Sequence, residues 1–482
     1  MTPHSDGGSV RTLPYVDHFG LTSPDLRRLL GLALASGGDF AEVFCEYRTS
    51  AFILMEEDLI KETAETISLG LGVRVLKGEM TGYGYANDLS RPSLEAAART
   101  AAAIASGRGR ARPRPIKGRG RPLRLYPVRV PAHKATLDKK IALVQEAYAS
   151  AQAHDPAVVR VRVALGDGVQ YVCVVNAEGH WARDVRPLVK MSCSVIAERN
   201  GRKESGYHGG GGRVGLEYFE EDLAPRAIGR EAAAEAVRLL DAREAPAGEM
   251  PVVLAPGHAG VLIHEAVGHL LEADFHRRRT SVFWNKMGAK VGADSVTIID
   301  DPTIPRFRGS YNIDDEGTVP RPTLLVENGR AVGRLQDILS ARVFKSAPTG
   351  HGRREDYSFW PIPRMSNIYI AAGRQSPEEI IGSVGKGLYA EQFQGGQVED
   401  SGKFTFSVSS GYLIEGGRLT APVKQATLIG TNIDILNKIA MVGNDLRFGL
   451  QTGTCSKDGQ DVPVTDGCPT LKISEMTVGG RT

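Results

Sequence analysis

Two imidazoles and a carboxylate stand together in one apolar stretch, His264-Glu265-Ala266-Val267-Gly268-His269. The string is one residue longer than the zinc-peptidase signature His-Glu-x-x-His. There, His at i and i+4 share a helix face and grip one metal, while the Glu reaches the water to be activated. The extra residue poses a geometric problem. At about 100° per residue, positions i and i+5 lie roughly 140° apart on a regular α-helix, too far round to share an ion. Either the string is accidental, or the helix widens locally into a π-turn that returns both imidazoles to one face. Gly268, directly before the second His, is where backbone latitude would serve that widening.

A catalytic zinc takes three protein ligands and keeps one position open for water. Candidates for the third ligand are Glu272, Asp274, His276, His258 or a cysteine delivered by folding. Glu272 and Asp274 read equally as helix-surface acids facing Arg277–Arg279. Among the cysteines, Cys455 stands apart in the Gly-rich FGLQTGTCSKDGQ, whereas Cys45, Cys173 and Cys193 lie in alternating strand-like runs and read as packing. Spacing alone does not choose between Cys455 and the acids. Tyr389, Tyr412 and His351 are candidates for stabilising an oxyanion. Asp314-Asp315-Glu316 reads as a solvated turn before a strand rather than a second cation site. Gly209–Gly212 lacks the Lys and Ser/Thr of a phosphate loop and reads as a flexible loop or a backbone contact to peptide.

The 482 residues that must position these groups suffice for two or three cores, and 41% apolar with 24% charged residues is ordinary for a globular chain. No run approaches the roughly 18 uninterrupted apolar residues of a membrane span. The first twenty residues contain no apolar signal core. Five cysteines without a C-x-x-C pair point to a reducing, cytoplasmic setting. Arg108–Arg124 holds eight Lys or Arg and no acid, in a chain of net charge +3. Without interleaved aromatics it reads as part of a Pro/Gly-rich connector, about residues 107–131, so neither nucleic acid nor membrane is an expected partner.

Residues 23–36 read as a helix with Ser23 as N-cap and Pro24 at N1. Strand-like runs over 40–87 and a helix over 92–105 follow. After the connector the order recurs: a helix from Leu137 stopped by Pro156, then strands between 158 and 198 and a helix near 225–242. Turns are expected at Gly166-Asp167-Gly168 and Asn200-Gly201. Residues 245–251, APAGEMP, mark a boundary. Beyond it a strand at 252–255 precedes the His-Glu helix, and strand-and-turn sequence follows, with a hairpin signal at Asn328-Gly329. The expected class is α+β. An N-terminal domain (1–245) of antiparallel sheets with flanking helices precedes a β-rich C-terminal domain (246–482) carrying one metal-binding helix.

The segment HEAVGHLLEADF (264–275) resembles the HEAxGHxLExD block of the TldD/PmbA metallopeptidase family, on its TldD side. IDDEG (313–317), NGRAVGRLQD (328–337), GGQVEDSGKFTFSVSSGYLIEGG (395–417), PVKQATLIG (422–430), MVGND (441–445) and CSKDGQDVPV (455–464) resemble further blocks in the family's order. The N-terminal half is compatible, and the Arg/Pro connector departs from the pattern. The resemblance implies that His264, His269 and Cys455 bind zinc, with iron(II) admitted by the same ligand types, and that Glu265 is the general base. It implies a cytoplasmic peptidase acting on unfolded or small peptides. Its subunit would pair with a TldE/PmbA-like relative lacking the His-Glu motif, or with itself, to enclose a chamber. Two rivals stand beside it: a non-catalytic binding or regulatory subunit with a structural metal, and a nucleic-acid-associated protein working through the Arg-rich connector.

Overall fold

Long alternating runs of β-branched and aromatic residues build the first half of the chain into one sheet. The computed structural model describes residues 19–109, 111–118, 123–398 and 402–480, apart from the side chains of 397 and 398. Phe40–Glu56 lies at the centre of that sheet, antiparallel to Leu59–Lys77 on one side and Val158–Asn176 on the other. Met80–Ala86 extends it beyond the first neighbour, and His180–Arg199 with Arg202–Gly212 beyond the second. The two helix–strands–helix units of the sequence are therefore halves of one sheet. Helices Ser23–Leu34 and Arg91–Ile104 cover one half, and Leu137–Gln152 and Pro225–Leu240 the other, each through an apolar stripe.

Thr22, not Ser23, caps the first helix, in a capping box with Asp25. Gly166-Asp167-Gly168 is strand rather than turn. Both neighbouring strands pair through it, with Ser50 and Leu188 opposite Gly168, and Lys140 from the covering helix meets Asp167 at 2.7 Å. The glycines 209–212 are also strand, opposite Val189 to Ser192, and Tyr218 and Leu223 leave Gly210 no room for a Cβ. Asn200 and Gly201, both at positive φ, make the expected hairpin turn. Part of the basic connector docks on the sheet: the N–H groups of Arg114 and Lys117 donate to the carbonyls of Ala177 and Gly179 at 2.9 and 2.7 Å. Residues 110 and 119–122 of that stretch lie outside the described residues.

In the second half, Leu471–Gly479 pairs with both Gly248–Leu254 and Arg418–Thr431. Lys386–Val398 and Lys403–Glu415 complete the circuit, so the sheet closes on itself. A second sheet carries Thr323–Glu327, Ile298–Asp300, Asn367–Ile370 and Thr465–Cys468 in that order. The segment bearing the His-Glu string packs between the two. Leu262, Ile263, Ala266 and Val267 share one core with Leu254 and Leu388 of the closed sheet and with Ile298 and Ile368 of the other. No helix among the described residues is long and apolar enough to cross a membrane.

Asp314-Asp315-Glu316 overturns its reading as a solvated turn: all three are buried where the two halves meet. Arg186 Nη1 donates to Asp315 at 2.6 Å, Arg354 Nη2 to Glu42 at 2.8 Å, and Arg74 to both Glu42 and Glu316. Asp314 accepts the N–H groups of Glu316, Thr318 and Gly352. Asp315 and Glu316, paired with guanidiniums from the first half, clamp the two halves together, while Asp314 ties down its own loop. Removing one partner of a buried pair leaves the other desolvated and uncompensated. Arg186→Met is therefore expected to cost about 3–5 kcal/mol, read as a lower urea midpoint. An unchanged midpoint would remove the clamp from the account.

Candidate functional site

The helix that carries the two histidines changes pitch as it passes them. Val261–Ile263 is α-helical, His264–Gly268 is π-helical and His269–Leu271 is a 3₁₀ turn. The His269 N–H donates to the His264 carbonyl five residues back, and the two imidazole centroids lie 5.1 Å apart. The π-turn thus absorbs the extra residue and puts both rings on one face. Gly268 is not the expected hinge, because its φ of −57° is ordinary helix. It provides clearance instead: a Cβ there would lie 2.0 Å from Met365 Sδ and 2.8 Å from Ile368 Cδ1.

Cys455 arrives on a hairpin of Thr454–Lys457 and Gln460–Pro463. Strand alternation turns Cys455 and Lys457 inward and Ser456 outward. Cys455 Sγ lies 3.4 Å from His269 Nε2, and the donor atoms of His264, His269 and Cys455 all fall within 4.8 Å of one another. Each imidazole is held from behind by a carboxylate. His264 Nδ1 meets Asp466 at 2.6 Å, and His269 Nδ1 meets Glu272 at 2.9 Å. Glu272 in turn accepts from Lys457 Nζ at 2.9 Å and from the Met365 N–H at 3.2 Å. Carboxylates at Nδ1 orient the rings and fix the tautomer that leaves Nε2 able to bind a metal.

Burial would raise the Cys455 thiol, but His264 and His269 outweigh it and hold the thiol well below its ordinary value. The imidazoles rise in return, against burial, through Asp466 and Cys455 at His264 and through Glu272 and Cys455 at His269, the latter reaching about 9. The other four cysteines go the opposite way, pushed up by burial. A thiolate and two oriented imidazoles form a donor set that suits zinc or iron(II). The 3.4 Å sulfur–nitrogen separation is close to the edge of about 3.6 Å expected where both bind one tetrahedral zinc. The residues present therefore fit a metal.

Glu272 offers a measurable consequence. Burial would raise its carboxyl, but Lys457 and then His269 outweigh it and hold it at about 2, against an ordinary 4.5. A depressed acid stabilises the fold fully above its ordinary value, and that stabilisation, roughly 3 kcal/mol, is lost as pH falls toward 2. Glu272→Gln is expected to flatten the acid decline of the metal-free protein's urea midpoint below about pH 5. It should also weaken metal binding by about 10- to 100-fold. An unaltered pH profile would show that the carboxylate is not held as described.

Glu265 Oε2 lies 3.8 Å from His269 Nε2, and its side chain is 32% exposed. It lines a cleft with His258, Asp466 and the loop Gly449–Thr454. Of the other third-ligand candidates, Asp274 bonds Lys457 and Arg278, and His276 is engaged by Leu270 and Arg334. His258 borders the cleft but pairs with Gln392 at 2.9 Å, outside the donor set. None of the oxyanion candidates lines that cleft. His351 is buried between Asp300 and Thr349, Tyr412 accepts from Arg238, and Tyr389 packs against Val253 and Ile380. Sequence reasoning missed Asp466, Lys457 and Arg364, whose Nη2 donates to the Cys455 carbonyl at 2.6 Å. The alternation in Cys-Ser-Lys is the signal that could have flagged Lys457. Asp466 carries no local signal.

Family models describe three successive stretches of the chain: PmbA/TldA metallopeptidase domain 1 over residues 41–105, the central domain over 131–240 and the C-terminal domain over 247–480. The chain is 42% identical over 448 residues to the Metalloprotease TldD homolog of Haemophilus influenzae, covering 92% of this chain and 93% of that one. It is 40% identical over 449 residues to the namesake from Buchnera aphidicola, with the same two coverages. In fold it is similar to TldE from Thermococcus kodakarensis, with a TM-score of 0.73, 19% identity, and 95% of this chain and 100% of that one covered. Three consecutive family domains and near full-length identity to named metalloproteases place this chain in the TldD/PmbA metallopeptidase family.

Proposed function

We propose that this chain hydrolyses peptide bonds in extended, unfolded polypeptides, with Glu265 as general base. His264, His269 and Cys455 would hold a zinc ion, or iron(II) on the same donors. The observation that carries this reading is the convergence of a cysteine sulfur and two carboxylate-oriented imidazoles beside a partly exposed carboxylate. When bound, the metal supplies Lewis acidity that polarises the scissile carbonyl and eases deprotonation of the attacking water. Glu265 accepts that proton at a carboxylate oxygen and delivers it to the leaving amine nitrogen. Asp466 and Glu272 keep the imidazoles aimed while this happens. The thiolate donates more charge than a third imidazole would and makes the site sensitive to oxidants. The glycine-bounded loop 449–453 offers main chain along the cleft, and pairing with main chain is indifferent to substrate side chains. The family's blocks support pairing with a TldE/PmbA-like subunit or with a second copy. Five unpaired cysteines suit the cytoplasm.

The test is metal analysis together with cleavage of an unfolded peptide by the purified chain, alone and with its candidate partner. Chelation is expected to remove metal and activity together, and zinc or iron(II) to restore both in parallel. Cleavage that survives complete metal removal would sink the reading.

A further inference from the structure

The helix that leads into the His-Glu string presents one stripe to the cleft. Of residues 258–268 only His258, Val261 and Glu265 are half-buried, the others being buried, and all three line the cleft. Spacings of three and four positions put them on one helix face. Val261 has no polar atom on its side chain, and Glu265 is taken up by the reaction, which leaves His258 as the polar group of the stripe without a role. Its backbone is fixed by Gly257, left-handed at φ 93°, whose N–H donates to the Cys468 carbonyl at 2.9 Å. Its ring meets Phe393 edge-on with centroids 6.4 Å apart, and its Nδ1 pairs with Gln392 Oε1 at 2.9 Å. An amide oxygen only accepts, so Nδ1 carries the proton and the neutral ring offers Nε2 as an acceptor. Among the described residues Gln392 is the ring's one hydrogen-bond partner, so that acceptor is unspent.

Seven positions separate His258 from Glu265. At a rise of about 1.5 Å per residue that is about 10 Å, the length of roughly three residues of extended peptide. We propose that His258 Nε2 accepts a main-chain N–H of the bound peptide about three residues from the scissile bond. The proposal rests on the peptidase reading. Loop 449–453 forms the opposite wall of the cleft, and its first residue lies against the ring: a Cβ on Gly449 would stand 4.0 Å from His258 Cδ2. A peptide running between loop and stripe therefore meets His258 at one end and Glu265 at the other. Every residue but proline carries a main-chain N–H, so this subsite reads no side chain and turns away proline alone. Gln392 is its positioning residue, since it holds the proton on Nδ1 and keeps Nε2 free to accept.

The experiment uses the full chain with its candidate partner and a set of fluorescent unfolded peptides in which one amide at a time is replaced by an ester. The ester removes the N–H and adds no bulk. At one position remote from the scissile bond it is expected to raise KM about 3- to 10-fold in the unaltered protein. In His258→Phe, which keeps a ring against Phe393, the all-amide peptide should already show the raised KM, and the ester at that position should add nothing. Gln392→Met should shrink the same ester effect, and both variants should keep the metal. The Gln392→Met comparison decides the matter if His258→Phe does not fold. The proposal is overturned if no position loses its ester effect in these variants, or if no ester remote from the scissile bond has an effect in the unaltered protein. Where peptide binds but is not cleaved, the comparison is read as Kd and the peptidase reading alone falls; cleavage without a His258-dependent position sinks this proposal alone.

Discussion

Glu265→Gln is expected to keep the metal content of the unaltered protein and to lose about 10²- to 10⁴-fold in peptide cleavage. Glu265 stands outside the converging donors, with its nearest oxygen 3.8 Å from His269 Nε2, so an amide of the same shape leaves the thiolate and imidazoles in place. Its side chain is partly exposed in the cleft, so the substitution buries no new polar group and the fold should hold. What the amide cannot do is accept a proton. The loss should therefore fall on kcat with KM little changed, since proton transfer is a transition-state contribution. Metal content by elemental analysis and steady-state cleavage of an unfolded peptide give the two readouts. Full activity with full metal would remove Glu265 as the general base.

Cys455→Ser is expected to weaken metal binding by at least the about 10²-fold seen when only a supporting group around a metal is lost. Cleavage at limiting metal should fall with it. The reason lies in the charge between the imidazoles. His264 and His269 hold the Cys455 thiol well below its ordinary value, so sulfur offers them and a metal a full negative charge. A serine hydroxyl stays neutral there. In the cobalt-substituted protein the thiolate-to-metal charge-transfer absorption should vanish in Cys455→Ser. Cys468→Ser and Cys193→Ser are the controls: burial pushes both thiols up, neither belongs to the converging set, and both variants should keep the metal. Cobalt absorption that survives Cys455→Ser would overturn the assignment of the third donor.

Much of the fold is legible residue by residue. Pro24 and Pro225 open helices because a missing N–H costs nothing at a helix start. Asn200-Gly201 and Asn328-Gly329 make tight turns because both positions of each tolerate positive φ. The failures share a cause. Gly166-Asp167-Gly168 reads as a turn from local chemistry, yet strands on both sides pair through it. Three adjacent acids at 314–316 read as solvated, yet Arg186 and Arg74 reach Asp315 and Glu316 from 129 and 242 residues away. Local propensity carries no term for a partner that far along the chain.

The same division runs through the site. The sequence alone determines that two imidazoles and a carboxylate occupy six consecutive residues, and that one residue too many separates the histidines for an α-helix. Chain connectivity makes that pitch conflict a local matter, and the π-turn resolves it locally. Spacing alone leaves Cys455, Glu272 and Asp274 open as the group that meets the imidazoles; the resemblance points to Cys455, and the tertiary structure is what brings its sulfur to them. Cys455 crosses 186 residues to His269, while Glu272 turns behind the ring, held there by Lys457 from the same hairpin. That outcome depends on how a hairpin packs against a helix and which buried charges find partners, and spacing along the chain carries neither.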